Sequence, residues 1–151
     1  MDMKQIEPGQ NWLNNINENF NKLLTKVDVK VEKTESYVML NGVTQVFDHT
    51  TISKYPLPGG ASVKRWQFCA YIKHMNKNSD LLVAKVPEEY QETDSQPHIG
   101  RFPVSQNGHM VGELDVYFAN TPCDLHFAYS PLMSDPEDLN NAEVNLALTW
   151  Y

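Results

Sequence analysis

The hydrophobic period of this chain changes once, at Val27, and that change constrains the fold more than any other feature. Upstream, Leu13, Ile16, Phe20, Leu23 and Val27 recur at alternating spacings of three and four, the a/d rhythm of a coiled-coil seam. Downstream, Val27, Val29 and Val31 alternate with Asp28, Lys30 and Glu32, the period of a half-buried strand. A helix of about two heptads is too short to stand alone in water, so its apolar stripe needs cover. The spacing therefore predicts a helical stem over residues 1–28 and a β-rich head over residues 29–151.

Pro8-Gly9 ends whatever precedes the stem, and Asn11 is a good N-cap for a helix opening at Trp12. Six residues from Asn11 to Asn21 are Asn, a poor helix former, so packing rather than propensity must hold this helix. Trp12 and Leu24 widen the stripe beyond a strict a/d line. Two partners fit such a stripe: a second copy of the helix, or the chain's own β-domain. Under self-association, the mixture of Leu, Ile and Phe in the seam favours a trimer over a dimer, which prefers β-branched a with Leu d.

In the head, Tyr37 to Leu40 meets Asn41-Gly42 and then Val43 to Phe47, the strongest short-range hairpin signal in the chain. Tyr55-Pro56-Leu57-Pro58-Gly59-Gly60 reads as a loop. Ala61 to His74 is a longer strand, with Trp66, Phe68, Ala70 and Ile72 on one face and Gln67, Cys69, Tyr71 and Lys73 on the other. Leu81 to Val86 is a nearly continuous apolar strand, and Glu88 to Pro97 a polar, mobile loop. Ile99 to Val104 leads into a second hairpin turn at Gln106-Asn107-Gly108.

Leu114, Val116 and Phe118, then Leu125, Phe127 and Tyr129, then Val144, Leu146, Leu148 and Trp150 mark three more strands. The last is so apolar that it must be paired inside a sheet. Eight to ten short strands divided by turn signals predict a mainly β head, an antiparallel β-sandwich of jelly-roll type. At 151 residues and 41% hydrophobic content, the chain holds enough apolar material for one ordinary core.

Charge excludes one function class. Residues 1–75 carry nine Lys/Arg against seven Asp/Glu, residues 76–151 three against twelve, and so acidic a head repels phosphate backbones, which argues against nucleic acid. No run of eighteen apolar residues and no signal-peptide core is present, so neither membrane insertion nor classical export is expected. Cys69 and Cys123 lack C-x-x-C spacing and are expected as free thiols.

The common phosphate, dinucleotide, zinc-protease and hydrolase motifs are all missing. His49, His74, His98, His109 and His126 never fall at ligand spacing and read as isolated surface or loop residues. Asp135, Glu137, Asp138, Asn140 and Asn141 are the one concentrated set of oxygen ligands; the run lacks the glycine and terminal Glu of an EF-hand and reads as a solvated turn. Glu88, Glu89, Glu92 and Asp94 read the same way, although paired carboxylates also serve glycosidases. No enzyme and no cofactor are implied. Trp66 and Trp150 fall on the core phase, whereas Tyr55, Tyr71 and Tyr90 are the aromatic candidates for binding a sugar ring at the surface.

The opening Gly9-Gln10-Asn11-Trp12-Leu13-Asn14-Asn15-Ile16-Asn17-Glu18-Asn19-Phe20-Asn21-Lys22-Leu23 resembles that of small tail, baseplate and fibre-associated proteins of phages and prophages from Gram-positive bacteria. Such proteins begin with a W-x-x-x-I-N-x-N-F-x-x-L helix and continue into a β-rich head. The resemblance covers about fifteen residues well and the head only in style, through Leu40-Asn41-Gly42 and Ala147-Leu148-Thr149-Trp150-Tyr151. It implies a homotrimeric virion component, made in the host cytoplasm, whose heads adhere to host-surface saccharide. The rival expectation is an adaptor that docks on other tail or baseplate proteins without binding glycan; a cell-wall hydrolase stands third, since no acid/base pair stands out.

Overall fold

The structure is a computed structural model, describing residues 30–47, 50–93, 98–132 and 137–151. The expected helical stem and its seam, Leu13, Ile16, Phe20, Leu23 and Val27, lie outside the described residues. Val31–Tyr151 forms one compact unit, and within it the head is mainly antiparallel β.

Among the described residues there are ten strands: β1 Glu32–Thr34, β2 Val38–Met39, β3 Val43–Gln45, β4 Ile52–Pro56, β5 Ser62–Met75, β6 Asp80–Lys85, β7 His98–Gln106, β8 His109–Phe118, β9 Asp124–Pro131 and β10 Leu139–Trp150. Hydrogen bonds join them into one curled sheet in the order β1-β4-β5-β10-β7-β8-β9-β6-β2, with β3 on the flank of β5. Of the strand expected over Val27–Glu32, residues 27–29 lie outside the described part, Lys30 and Val31 are not in a strand, and only Glu32 falls in β1, which runs on to Thr34.

β5 and β10 form the spine, because their apolar residues alternate over the longest stretches of the head. Trp66, Ala70 and Ile72 are fully buried on β5, and Leu148 and Val144 answer them on β10, paired with Trp66 and Ala70. The closing strand is thus central, with β5 along one side and β7 meeting it at Ala142–Val144 on the other. Leu114, Val116, Leu125 and Phe127 complete the core from β8 and β9. Each such side chain contributes about 1.5–3 kcal/mol by leaving water. Gly112 allows β8 and β9 to approach: a Cβ there would meet the Ser130 carbonyl oxygen and the Tyr129 ring, each at 2.6 Å.

The hairpin expected at Asn41-Gly42 is corrected. The turn forms, with left-handed φ of 53° and 78°, but β2 pairs with β6 (Val38 with Lys85, Met39 with Ala84) while β3 pairs with β5 (Val43 with Ile72, Gln45 with Ala70). It is a corner joining the two flanks of the curled sheet. Asn41 Nδ2 donates to the Leu82 carbonyl at 2.8 Å, and the Lys73 N–H donates to the Gly42 carbonyl at 3.0 Å. Those two bonds fasten the corner to β6 and β5. The second Asn-Gly turn, Asn107-Gly108, does close a hairpin, β7 with β8.

Candidate functional site

On the outer face of β4 and β5, a groove of about 330 Å³ is lined by Thr50, Thr51, Ser53, Tyr55, Arg65 and Gln67. Strand alternation builds it. Ile52 and Trp66, facing inward, are fully buried register partners, so the next residues on each strand, Ser53 and Arg65, pair on the opposite face. Tyr55 and Gln67 continue that face outward from the Ser53–Arg65 pair.

The groove has a fixed wall. Trp66 Nε1 donates to Thr50 Oγ1 at 3.1 Å, Thr50 Oγ1 donates to Gln45 Oε1 at 2.9 Å, and the Tyr37 hydroxyl donates to the Thr50 carbonyl at 3.0 Å. Thr50 is therefore anchored by the core indole. Above it, Tyr55 is 36% exposed and Arg65 is exposed. A flat ring beside hydroxyls, an amide and a guanidinium suits a polyhydroxylated ligand: apolar sugar faces stack on the phenol while donors and acceptors take the hydroxyls. The groove brings no pair of carboxylates together.

The other aromatic candidates are placed differently. Tyr71 is half-buried on β5, and its hydroxyl donates to Asn141 Oδ1 at 2.5 Å; its polar end is already committed within the sheet. Tyr90 is corrected from surface to core. It ends a 3₁₀ turn at Glu88–Tyr90, is 6% exposed, and its carbonyl accepts the Trp150 indole N–H at 2.8 Å. The stretch read as a mobile loop thus begins as an anchored turn, because Tyr90 supplies the apolar area that a polar sequence context concealed. Burial, ahead of Glu32 and Glu89, pushes the Tyr90 hydroxyl pKa above its ordinary value.

The carboxylate candidates disperse. Asp135 lies outside the described residues, Glu137 is exposed, and Asp138 Oδ1 accepts the Lys77 N–H at 2.8 Å, capping the turn between β5 and β6. Nor are the described histidines all isolated, a second correction. His98 Nε2 is hydrogen-bonded to Asp115 Oδ1, with Arg101 Nε 3.9 Å from Asp115 Oδ2. His126, 6% exposed, bonds Asp80 through Nδ1 at 2.6 Å and stacks on Tyr117. His74 bonds Asn140 and Asn76, and its pKa is raised chiefly by the Asn140 bond. Cross-strand register assembles all three sets, and no spacing along the chain announces register. Arg65 and Gln67 were findable: both sit in the outward phase of a strand whose inward phase the sequence shows plainly.

No family model matches the chain, and no curated protein matches it. Among solved structures, the crystal structure of the head domain of phage bIL170, described in connection with a common fold for the receptor binding domains of lactococcal phages, superposes with a TM-score of 0.52. The fold is similar to a phage head domain. The match covers 79% of this chain and 96% of that one, at 12% sequence identity. At that identity the likeness is one of fold alone.

Proposed function

We propose that the protein is a virion component of a phage or prophage, of the tail, baseplate or fibre type, whose head adheres to saccharide on the host surface without enzymatic action. The observation that carries this reading is the likeness of its fold to the phage bIL170 head domain. The resemblance of Gly9 to Leu23 to tail-associated proteins supports it from the other end of the chain. The finer description of the head as a jelly-roll-like sandwich belongs to the same reading.

In this reading the seam Leu13, Ile16, Phe20, Leu23 and Val27 joins three copies, and three weak sites on one stem gain effective concentration without new contacts. The groove at Tyr55 is the saccharide site. Its partners are a second and third copy, neighbouring tail or baseplate proteins, and the host wall. Among the described residues no helix is long and apolar enough to cross a membrane.

The test is retention of the full-length protein on purified Gram-positive cell wall. Binding that free wall saccharide competes away, and that Tyr55→Ala weakens, is the expected result. Failure of the unmodified protein to bind walls of any host would overturn adhesion in favour of the adaptor. Sedimentation of the Leu13→Asp, Phe20→Asp double variant as a monomer, against a trimer for the parent, checks the seam.

A further inference from the structure

The inner face of the sheet changes character within one step along its strands. Thr34, Ile52, Trp66 and Leu148 form one row across β1, β4, β5 and β10; the next row, in the same register, is Glu32, Lys54, Lys64 and Trp150. Lys64 occupies the core phase of β5 and is only 2% exposed. Lys54 stands directly opposite it on β4. Like charges facing each other across a ladder are destabilising, and an ammonium withdrawn from water costs several kcal/mol before partners offset it.

The surroundings offset this incompletely. Lys54 Nζ lies 3.2 Å from Glu32 Oε2 and 5.8 Å from the centre of the Tyr90 ring. Lys64 Nζ donates to Thr93 Oγ1 over 3.4 Å, a long bond for a group with three donor hydrogens. Burial first, and Lys54 second, push the Lys64 pKa down, while Glu92 draws it part of the way back. Both lysines line a cleft of about 430 Å³, with Ser62, Gln91 and Thr93 in its wall and the exposed Glu88 and Glu89 at its edge.

We propose that this cleft is an oxyanion site, holding one carboxylate or phosphate group between the Lys54 and Lys64 ammoniums with the Ser62 and Thr93 hydroxyls as further donors. A strand that needed only to be buried here would carry an apolar residue, as it does at Trp66, Phe68, Ala70 and Ile72. Ammonium-to-oxyanion hydrogen bonds are short and strong, and an anion between two like charges relieves their repulsion. The lining carboxylates Glu32, Glu88 and Glu89 set the complementary limit. They repel a polyanion, so the ligand is compact, with one anionic group on a neutral or cationic body. This site lies on the opposite face of β4 from the Tyr55 groove and stands independently of the adhesion reading.

The experiment is a titration of the isotope-labelled full-length protein with sodium acetate, sodium phosphate and sodium chloride at constant ionic strength, followed through the lysine side-chain NMR signals. Saturable shifts of Lys54 and Lys64 with acetate or phosphate, absent with chloride, are expected, and the tighter anion tells carboxylate from phosphate. Lys64→Met should weaken that binding roughly tenfold or more, as loss of a charged hydrogen-bond donor does. Lys54→Gln should weaken it as well, and gives the answer if Lys64→Met does not fold. Shifts that drift without saturating, that chloride reproduces, or that survive both substitutions would overturn the site whether or not the head binds cell wall.

Discussion

Trp66 and Lys64 stand two residues apart on one face of one strand, each opposite a β4 residue and a β10 residue, and each is almost wholly buried. Their environments differ in what burial achieves. Trp66 packs against Tyr37 and Phe68 at ring separations of 4.6 and 4.1 Å, and its N–H has an acceptor in Thr50. Lys64 faces another lysine, with one long hydrogen bond and the charge of Glu92 as partial compensation. Register decides which positions are inside; side-chain chemistry decides whether being inside stabilises. The first row builds the fold, whereas in the second the facing Lys54 and Lys64 weaken locally what Trp150 at its end still anchors.

The sharpest test of that contrast is the pair Trp66→Ala and Lys64→Met, read by urea unfolding. Trp66→Ala should lose about 3–5 kcal/mol, the cost of a large aromatic cavity in a packed core, and it should loosen Thr50 as well. Lys64→Met should be neutral or stabilising by about 1–2 kcal/mol, because an apolar chain of similar length replaces a poorly compensated buried charge. A loss of stability in Lys64→Met comparable to that in Trp66→Ala would show that both rows are structural and would end the distinction.

A smaller effect follows from pH. The Lys64 pKa is lowered in the fold from 10.5, so between the folded and unfolded values the unfolded chain binds more protons, and stability rises with pH through that window. The cost of Lys64 is present in full below its folded pKa and fades toward 10.5. Tyr90 and Tyr129 act in the opposite sense: burial raises both above 10.0, so their contribution falls as the unfolded tyrosines ionise. Comparing parent with Lys64→Met cancels the tyrosines. The stability gap between them should narrow as alkaline pH is approached from neutral; a constant gap would mean that Lys64 is charged at no cost.

The same contrast explains what was legible in the sequence. The inward phases of β5, β8, β9 and β10 stood out because alternation is local, and all of them are buried as expected. Lys64 did not stand out, since a lysine at the head of an apolar alternation reads as its boundary rather than its next member. The two Asn-Gly turns are nearly identical locally, with φ pairs of 53° and 78° against 53° and 77°. One closes a hairpin and the other turns a corner, because β2 is drawn to β6 and β3 to β5 by contacts distant in the chain. Tyr90 was hidden for a related reason: its partner Trp150 lies sixty residues on. Of the groove, Tyr55 was legible as a loop aromatic, yet its loop proved to be the end of β4, and Arg65 and Gln67 joined it only through pairing.

The mildest substitution for the fold probes the outer face against the inner one. Tyr55 is exposed at the end of β4 and takes no part in the core, so Tyr55→Ala should leave unfolding stability within about 0.5 kcal/mol of the parent. Wall binding should nonetheless fall, by about 1–2 kcal/mol per site if the ring is a central contact. Valence then multiplies the effect. Where three heads engage together, a loss at each site compounds, and retention on wall should drop by far more than affinity for a free saccharide. In the Leu13→Asp, Phe20→Asp background the compounding should vanish and the two losses should agree. Equal losses in both backgrounds would refute multivalent adhesion while leaving the groove intact; no loss in either would remove Tyr55 from the site and leave the inner cleft standing as a candidate for a ligand.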